Sequence, residues 1–564
     1  MTALPVSFGG PRATTIFLLC RQSASPGGEP VSNIGSYETR LEDFDWEIAK
    51  RELDWKDGEL LNIGHICSDR VCQRGLADKT ALIWEGFGDK KATYTFDDLR
   101  VLSNGFAKFV RDDLGVQVGE RVCIFMDKIP SLYLSFLGVL KAGAVAQPLF
   151  SAFGDESLEV RLKSAGTTAI LTTQKHVKKV RKILDRLPDL KHVVVVEGNP
   201  DKLKEGERFF EVEAAPRVEE FDCFKADPES RSVIHYTSGT TGQPKGAQHV
   251  HNSIWSQALT TKWVLDLSED DVYWCTADPG WVTGTSYGII GPWALGATQA
   301  ILDSGFIADR WYQFLADHKV TVWYSAPTAI RSLMREGEEV VKKHDLSALR
   351  HLASVGEPLN AEAVVWSEKA FEGKAFHDTF WQTETGSMMI CNYPGMPIKP
   401  GSMGKPFPGI EATVLDLKTH EPITEPGKVG LIAFRPGWPA MFRIYWNQED
   451  VYRSKFVGET EGRTPDELRT ADDLWYVSGD RASIDKDGYY WFVGRDDDVI
   501  NTGGHLVGPF EIESALIEHE AIAEAAAVGK PDPVNMEVVK AIVTLNPGFE
   551  PSGDLELKIM NFIR

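Results

Sequence analysis

The stretch Tyr236-Thr-Ser-Gly-Thr-Thr-Gly-Gln-Pro-Lys-Gly246 decides how the rest of the chain is read. Gly239, Gly242 and Gly246 admit turns that side chains forbid, so backbone N–H groups can converge on anionic oxygens. Thr237, Ser238, Thr240 and Thr241 add hydroxyl donors, and Lys245 adds a point charge. The preceding run, residues 232–236, reads as a buried strand, which makes the segment a phosphate-gripping loop at a strand end. It is not a P-loop. That pattern places Ser or Thr directly after the lysine at a helix start, whereas here Pro244 precedes Lys245 and Gly246 follows it, leaving the loop free to move over its nucleotide. A polar surface turn is the ordinary alternative for any Gly/Ser/Thr-rich segment.

At 564 residues the chain exceeds the size at which one core keeps growing, so at least two domains are expected. Apolar residues at 43% and charged residues at 25% are the proportions of a soluble globular protein. A net charge of −22 argues against a nucleic-acid partner, although a small anion such as ATP can still bind a local basic cluster. The seven cysteines, at 20, 67, 72, 123, 223, 275 and 391, form no CxxC pair; reduced thiols in a cytoplasmic protein fit them better than disulfides or a zinc site. The apolar run Thr14–Cys20 is too short for a signal peptide and lacks a small-residue cleavage site. Residues 132–145 are broken by Lys141 and two glycines and fall short of the ~20 apolar residues that span a bilayer. They read as a core helix followed by a strand, and no membrane partner is expected.

Residues 1–35, rich in Gly, Pro and Ser, read as a loosely ordered leader. Beyond them strand and helix patterns alternate in the α/β manner: residues 193–196 and 232–236 are strand-like, and 361–371 is helical, with Asn360 as N-cap and Gly373 as the stop. From about Gly401 to Gly494 the chain is turn-rich and strand-dense, which predicts a small barrel-like or sheet subdomain. From Arg495 onward the pattern is compact and helical, with Pro509 opening a helix and residues 538–545 forming a strand. The fold class is therefore α/β, a large N-terminal domain with a small sheet subdomain, followed by a small α+β domain.

Four further segments carry polar residues at turns: Ser354-Val-Gly-Glu-Pro358, Asp378-Thr-Phe-Trp-Gln-Thr-Glu-Thr-Gly386, Tyr476-Val-Ser-Gly-Asp480 with Gly494-Arg495, and Asp496-Asp-Asp-Val-Ile-Asn-Thr-Gly-Gly504. With the glycine-rich loop, and in this order over about residues 40 to 564, the chain resembles the adenylate-forming superfamily of acyl-CoA synthetases, luciferases and peptide-synthetase adenylation domains. The resemblance implies ATP, CoA and Mg²⁺. It places Gly356, Glu357 and Pro358 against the adenine, and Asp378, Thr379 and Gln382 in the same nucleotide set. Thr383 would meet the α-phosphate and Glu384 would hold Mg²⁺, consistent with a carboxylate sharing that ion with substrate phosphates. Asp480 would accept both ribose hydroxyls, and Arg495 would reach ribose or phosphate. Asp497 is the implied hinge, in segment 496–502, between an N-terminal domain over 36–495 and a partial C-terminal domain over 503–564; Gly503 and Gly504 would let the CoA arm approach the backbone.

By the same resemblance, acetate-activating members place Trp before Gln-Thr-Glu, as Trp381 stands here, whereas members taking longer chains have Gly. Val282, Thr283 and Val355 supply the other acyl-pocket walls. An indole fills the volume of several methylenes, and one methylene is worth only ~1–3 kcal/mol of discrimination, so acetate is favoured and propionate tolerated. Phe380 stands where many acetate enzymes carry a second Trp. The implied reaction is AMP-forming acetate–CoA ligation: the carboxylate attacks the α-phosphorus of ATP, and the CoA thiol then displaces AMP, with no protein nucleophile. The alternatives are a ligase for another short carboxylate, and a nucleotide- or acyl-adenylate-binding protein without turnover. Two departures motivate the latter. Leu506 follows His505 where the family pattern has Arg, and the family's catalytic lysine, on a C-terminal Gly-Lys loop, has no recognised counterpart after Gly504. The last helix is expected to run from Asp554 through Arg564 without a C-cap, the mark of a truncated ligase that forms adenylate poorly but completes the thioester.

Overall fold

The computed structural model describes residues 32–237, 243–496, 498–502, 505–532 and 536–563. The apolar runs pair as parallel strands. Arg121–Phe125 lies between Val145–Pro148 and Ala169–Thr172, and His192–Val195 continues outward. These strands are almost wholly buried, as in a sheet covered on both faces. Together with Glu207–Phe209 on one side and Arg231–Thr237, Lys245–Val250 and Ile444–Tyr445 on the other, they form an eight-stranded sheet.

A second, nine-stranded sheet runs in space through Lys405–Pro406, Ile390–Cys391, Phe376–Phe380, His351–Val355, Val322–Ser325, Val272–Cys275, Thr298–Leu302, Thr80–Glu85 and Lys91–Thr95. Its six central strands are mutually parallel and its edges antiparallel. The strand-dense region after Gly401 forms an open antiparallel sheet rather than a barrel. Ala412–Leu415, Val429–Phe434, Trp475–Ile484 and Phe456–Val457 lie in that order, with Tyr490–Arg495 paired to the long strand Trp475–Ile484.

The segment after Arg495 is richer in strand than its helical appearance suggests. Ile522–Asp532 contains the helix-favouring run Glu524-Ala-Ala-Ala527, yet it pairs over its whole length with the β-branched strand Met536–Leu545. Tertiary pairing overrides the local propensity of alanine. Gly529-Lys530, the one Gly-Lys pair after Gly504, lies inside that strand and not on a loop. Helices Pro509–Ile517 and Gly553–Phe562 pack on the sheet through Leu516, Ile522 and Ile559. The last helix ends at Phe562, where the Ile563 N–H still bonds to Ile559 O.

Three smaller expectations are adjusted. Asn33 and Ile34, assigned to the loose leader, are anchored: Asn33 N–H donates to Asp266 at 2.7 Å, and Ile34 is buried. Asn360 occupies the N-cap of helix Ala361–Ala370 with extended backbone, but its side chain makes no capping bond. Among the described residues no helix is long and apolar enough to cross a membrane.

Residues 132–145 form the expected helix and strand, as Pro130–Lys141 and Val145–Pro148, and the lysine that interrupts them is the informative residue. Lys141 is fully buried, with Nζ 2.5 Å from Asp69 and 2.8 Å from Asn104 Oδ1. His65, Asp69 and Cys223 also bring ligand-type atoms within 4.8 Å of one another, a grouping that linear spacing conceals. The ammonium already neutralises that carboxylate. Burial pushes Asp69 up, but the charge and hydrogen bond of Lys141, with His65 and Ser68, together outweigh it and hold the group below its usual range. The pair's stabilisation is therefore present above the unfolded carboxylate pKa and lost as pH falls through the depressed native value. Lys141→Met strands a buried carboxylate and should cost about 3–5 kcal/mol, read as a lower urea midpoint at pH 7 with a deficit that narrows toward pH 4.

Candidate active site

A cavity of about 480 Å³ opens where the three sheets of the large domain meet. Its walls come from the carboxyl ends of the parallel strands His351–Val355 and Phe376–Phe380, the usual ligand crevice of an α/β sheet. The long antiparallel strand Trp475–Ile484 and the start of Lys245–Val250 complete it.

Thr237 and Lys245 face each other in register across the antiparallel pair Arg231–Thr237 and Lys245–Val250. The strands on either side of the glycine-rich segment are thus an antiparallel pair, whereas a P-loop leads from a strand into a helix; Ser238, Gly239, Thr240, Thr241 and Gly242 lie outside the described residues. Thr237 and Lys245 both line the cavity, and Lys245 Nζ lies 5.6 Å from the Tyr445 ring centre. His235, on the same strand, is buried against Thr285 Oγ1 at 2.6 Å, and desolvation pushes its pKa down to about 3. It is a neutral core histidine.

Strand His351–Val355 ends at Gly356, whose φ of +95° favours glycine. Gly356, Glu357 and Pro358 line the cavity, but the Glu357 carboxylate is engaged by Thr328 and Arg331, so an adenine contact at this turn falls to the backbone. Opposite, Asp378 is fully buried, and burial pushes its pKa up to about 8. Its Oδ1 has no hydrogen-bond partner, an orphan polar atom at the wall of a cavity, as expected if a ligand completes it.

Thr379 also belongs to the scaffold. Its hydroxyl donates to Ser354 O at 2.7 Å and sits 2.7 Å from Tyr324 Oη, which accepts the Trp381 indole N–H at 3.3 Å. The hydroxyl thus ties Trp381 to the scaffold through Tyr324, while Thr379 also stands in the cavity lining. Tyr287 packs edge-on against the same indole at 4.9 Å. Val282, Thr283 and Val355 join Trp381 in the lining, so the four residues expected around an acyl group do come together.

Gln382 is a fork. Its amide nitrogen donates to Ser478 O at 3.1 Å and Asp480 Oδ2 at 2.6 Å, while its oxygen accepts from Tyr476 at 3.2 Å. Burial raises the Asp480 pKa to about 6, against the downward pull of Arg495, its cross-strand partner. Thr383 and Glu384 follow in the lining. Tyr445 Oη donates to Glu384 Oε1 at 2.6 Å. Among the described residues Glu384 makes no ion pair, so its charge is free for a cation. Sequence reasoning missed Tyr445, Lys455, Met403 and Phe492, which line the cavity from positions outside the quoted motifs. Asp497, Gly503 and Gly504 lie outside the described residues.

The family described as AMP-binding enzyme matches residues 69–446, and its C-terminal domain matches 511–564. The chain belongs to the AMP-binding enzyme family. As a member, it is 44% identical over 543 residues to an acetyl-coenzyme A synthetase of Bacillus subtilis, covering 96% of this chain and 91% of that protein. A second, from Gemmatimonas aurantiaca, is 38% identical, with 92% and 81% covered. Among solved structures, a Brucella canis acyl-CoA synthetase superimposes with a TM-score of 0.74 at 30% identity, covering 93% of this chain and 92% of that one. An anthranilate CoA ligase in complex with anthranoyl-AMP gives 0.76 at 28%, covering 89% and 90%. In this family member the Tyr324 hydroxyl is the shared node of the Thr379–Trp381 chain. Tyr324→Phe should lower stability by about 1–3 kcal/mol, measured by chemical denaturation, because it leaves the buried indole N–H unpaired.

Proposed function

We propose that this AMP-binding enzyme is an AMP-forming acetate–CoA ligase, which activates acetate with ATP and transfers the acetyl group to CoA. The observation that carries the substrate is Trp381, held by Tyr324 and Tyr287 so that the acyl end of the cavity is closed by an indole. The acetyl-coenzyme A synthetases it resembles support the same reading.

The side chains divide the work by charge. Asp378, protonated near neutral pH by burial, and the Gly356–Pro358 backbone suit a purine edge with its paired donor and acceptor. Asp480, fixed by Gln382, accepts the ribose hydroxyls. Thr237, Lys245 and Thr383 face the phosphates. Glu384 would hold Mg²⁺, which when bound neutralises phosphate charge. Lacking a nucleophile, the chain lowers the barrier by aligning acetate with the α-phosphorus and stabilising the leaving pyrophosphate. Residues 36–495 act as the adenylating body and 503–564 as the domain that turns about the 496–502 hinge between half-reactions. The protein works in the cytoplasm on small molecules, without a nucleic-acid partner.

The thioester step is tested alone by supplying acetyl-adenylate and CoA and quantifying acetyl-CoA by mass spectrometry. Product well above the uncatalysed rate is expected, with propionyl-adenylate slower. A preference for propionyl-adenylate would move the assignment to another short acid, and tight adenylate binding without product would leave a binding protein. Ionised Asp480 is the form that accepts ribose hydroxyls, so AMP affinity measured by calorimetry should fall as pH drops through about 6, the value to which burial raises this group. Asp480→Asn should flatten that dependence.

A further inference from the structure

We propose that Lys455 is a phosphate-binding residue of the nucleotide site, seated to meet the phosphate attached to the ribose. The inference rests on the nucleotide reading of the cavity and adds a ligand that no motif marks. Lys455 lies just before the short strand Phe456–Val457. Its backbone is pinned at both ends: its N–H donates to Tyr452 O at 3.0 Å, and its carbonyl accepts the Val477 N–H at 2.8 Å. The side chain therefore starts from a fixed point beside the strand that carries Asp480.

From there the side chain passes over Gly479. A Cβ at Gly479 would lie 3.7 Å from Lys455 Nζ, which places the ammonium directly above the residue between Ser478 and Asp480. Lys455 joins Glu384, Asp480, Lys245 and Arg495 in the cavity lining. Among the described residues no hydrogen bond or ion pair holds its ammonium, although burial penalises the charge. Glu384 and Asp480 favour the charged form from a distance, and Lys245 and Arg495 oppose it.

The local charge balance favours an anion. Lys245, Lys455 and Arg495 contribute three positive charges. Against them stand Glu384 and Asp480, since Glu357 is paired with Arg331 and burial keeps Asp378 protonated near neutral pH. An unpaired, desolvated ammonium is retained at an energetic cost unless a ligand completes its hydrogen bonds. Both the ribose-facing Asp480 and the metal-type carboxylate Glu384 act on its charge, which selects the 5′-phosphate, the group common to ATP, the acyl-adenylate and AMP. A lysine serving only to offset its acidic neighbours would show no selectivity for phosphate.

Binding of AMP and of adenosine to the full chain, measured by calorimetry for the wild type, Lys455→Met and Lys455→Arg, separates these roles. The proposal expects Lys455→Met to weaken AMP about tenfold or more and adenosine less than about twofold, with Lys455→Arg restoring most of the AMP affinity. Equal weakening of both ligands, or no change in either, overturns it. Matching unfolding midpoints for the Met and Arg variants guard against misfolding. Failure of the wild type to bind AMP would instead remove the nucleotide reading on which the proposal stands.

Discussion

The site depends on one side chain joining two sheets. Gln382 leaves the carboxyl end of a parallel strand, and its amide is saturated by groups from the antiparallel strand Trp475–Ile484: Tyr476, Ser478 and Asp480. An amide has a donor side and an acceptor side, so this three-way bond fixes the fork's direction as well as its position. It ties the cavity-lining turn that carries Trp381 to the Asp480 carboxylate.

Burial sets the electrostatics of that seam. Asp378 and Asp480 are both raised by desolvation, but to about 8 and about 6, because Asp480 has Arg495 and Lys455 nearby and Asp378 has no cation among its shifting influences. Near neutral pH one is a neutral acid and the other an anion, so two aspartates in one cavity present different hydrogen-bonding faces. The same logic holds far from the cavity, where the buried Lys141 ammonium keeps Asp69 ionised within a fully packed helix pair.

The family relationship and the geometry address different questions. Matching residues 69–446 and 511–564 identifies the scaffold, and scaffolds of this kind serve more than one acid, as the anthranilate ligase shows. The acid is selected by what closes the cavity. Here that is an indole held by a chain running from the Ser354 carbonyl through the hydroxyls of Thr379 and Tyr324. Thr379 thus supports the indole while it also stands on the cavity wall, where its motif position suits contact with nucleotide.

The sequence by itself determined the alternation of strands and helices, the helix and strand of residues 130–148, the family, and the turns at Gly356, Trp381–Glu384 and Asp480. These are legible because local backbone chemistry and short motifs specify them: glycine at a positive φ, and polar residues at strand ends. Tertiary pairing alone made antiparallel partners of the strands flanking the glycine-rich segment, made the region after Gly401 an open sheet, and made the alanine run at 525–527 a strand. Only the tertiary structure tied Thr379 to Tyr324 and brought Lys455 and Tyr445 to the cavity. Strand partners and side-chain partners distant in sequence settle those outcomes, and no local pattern encodes which groups will meet across a seam between sheets.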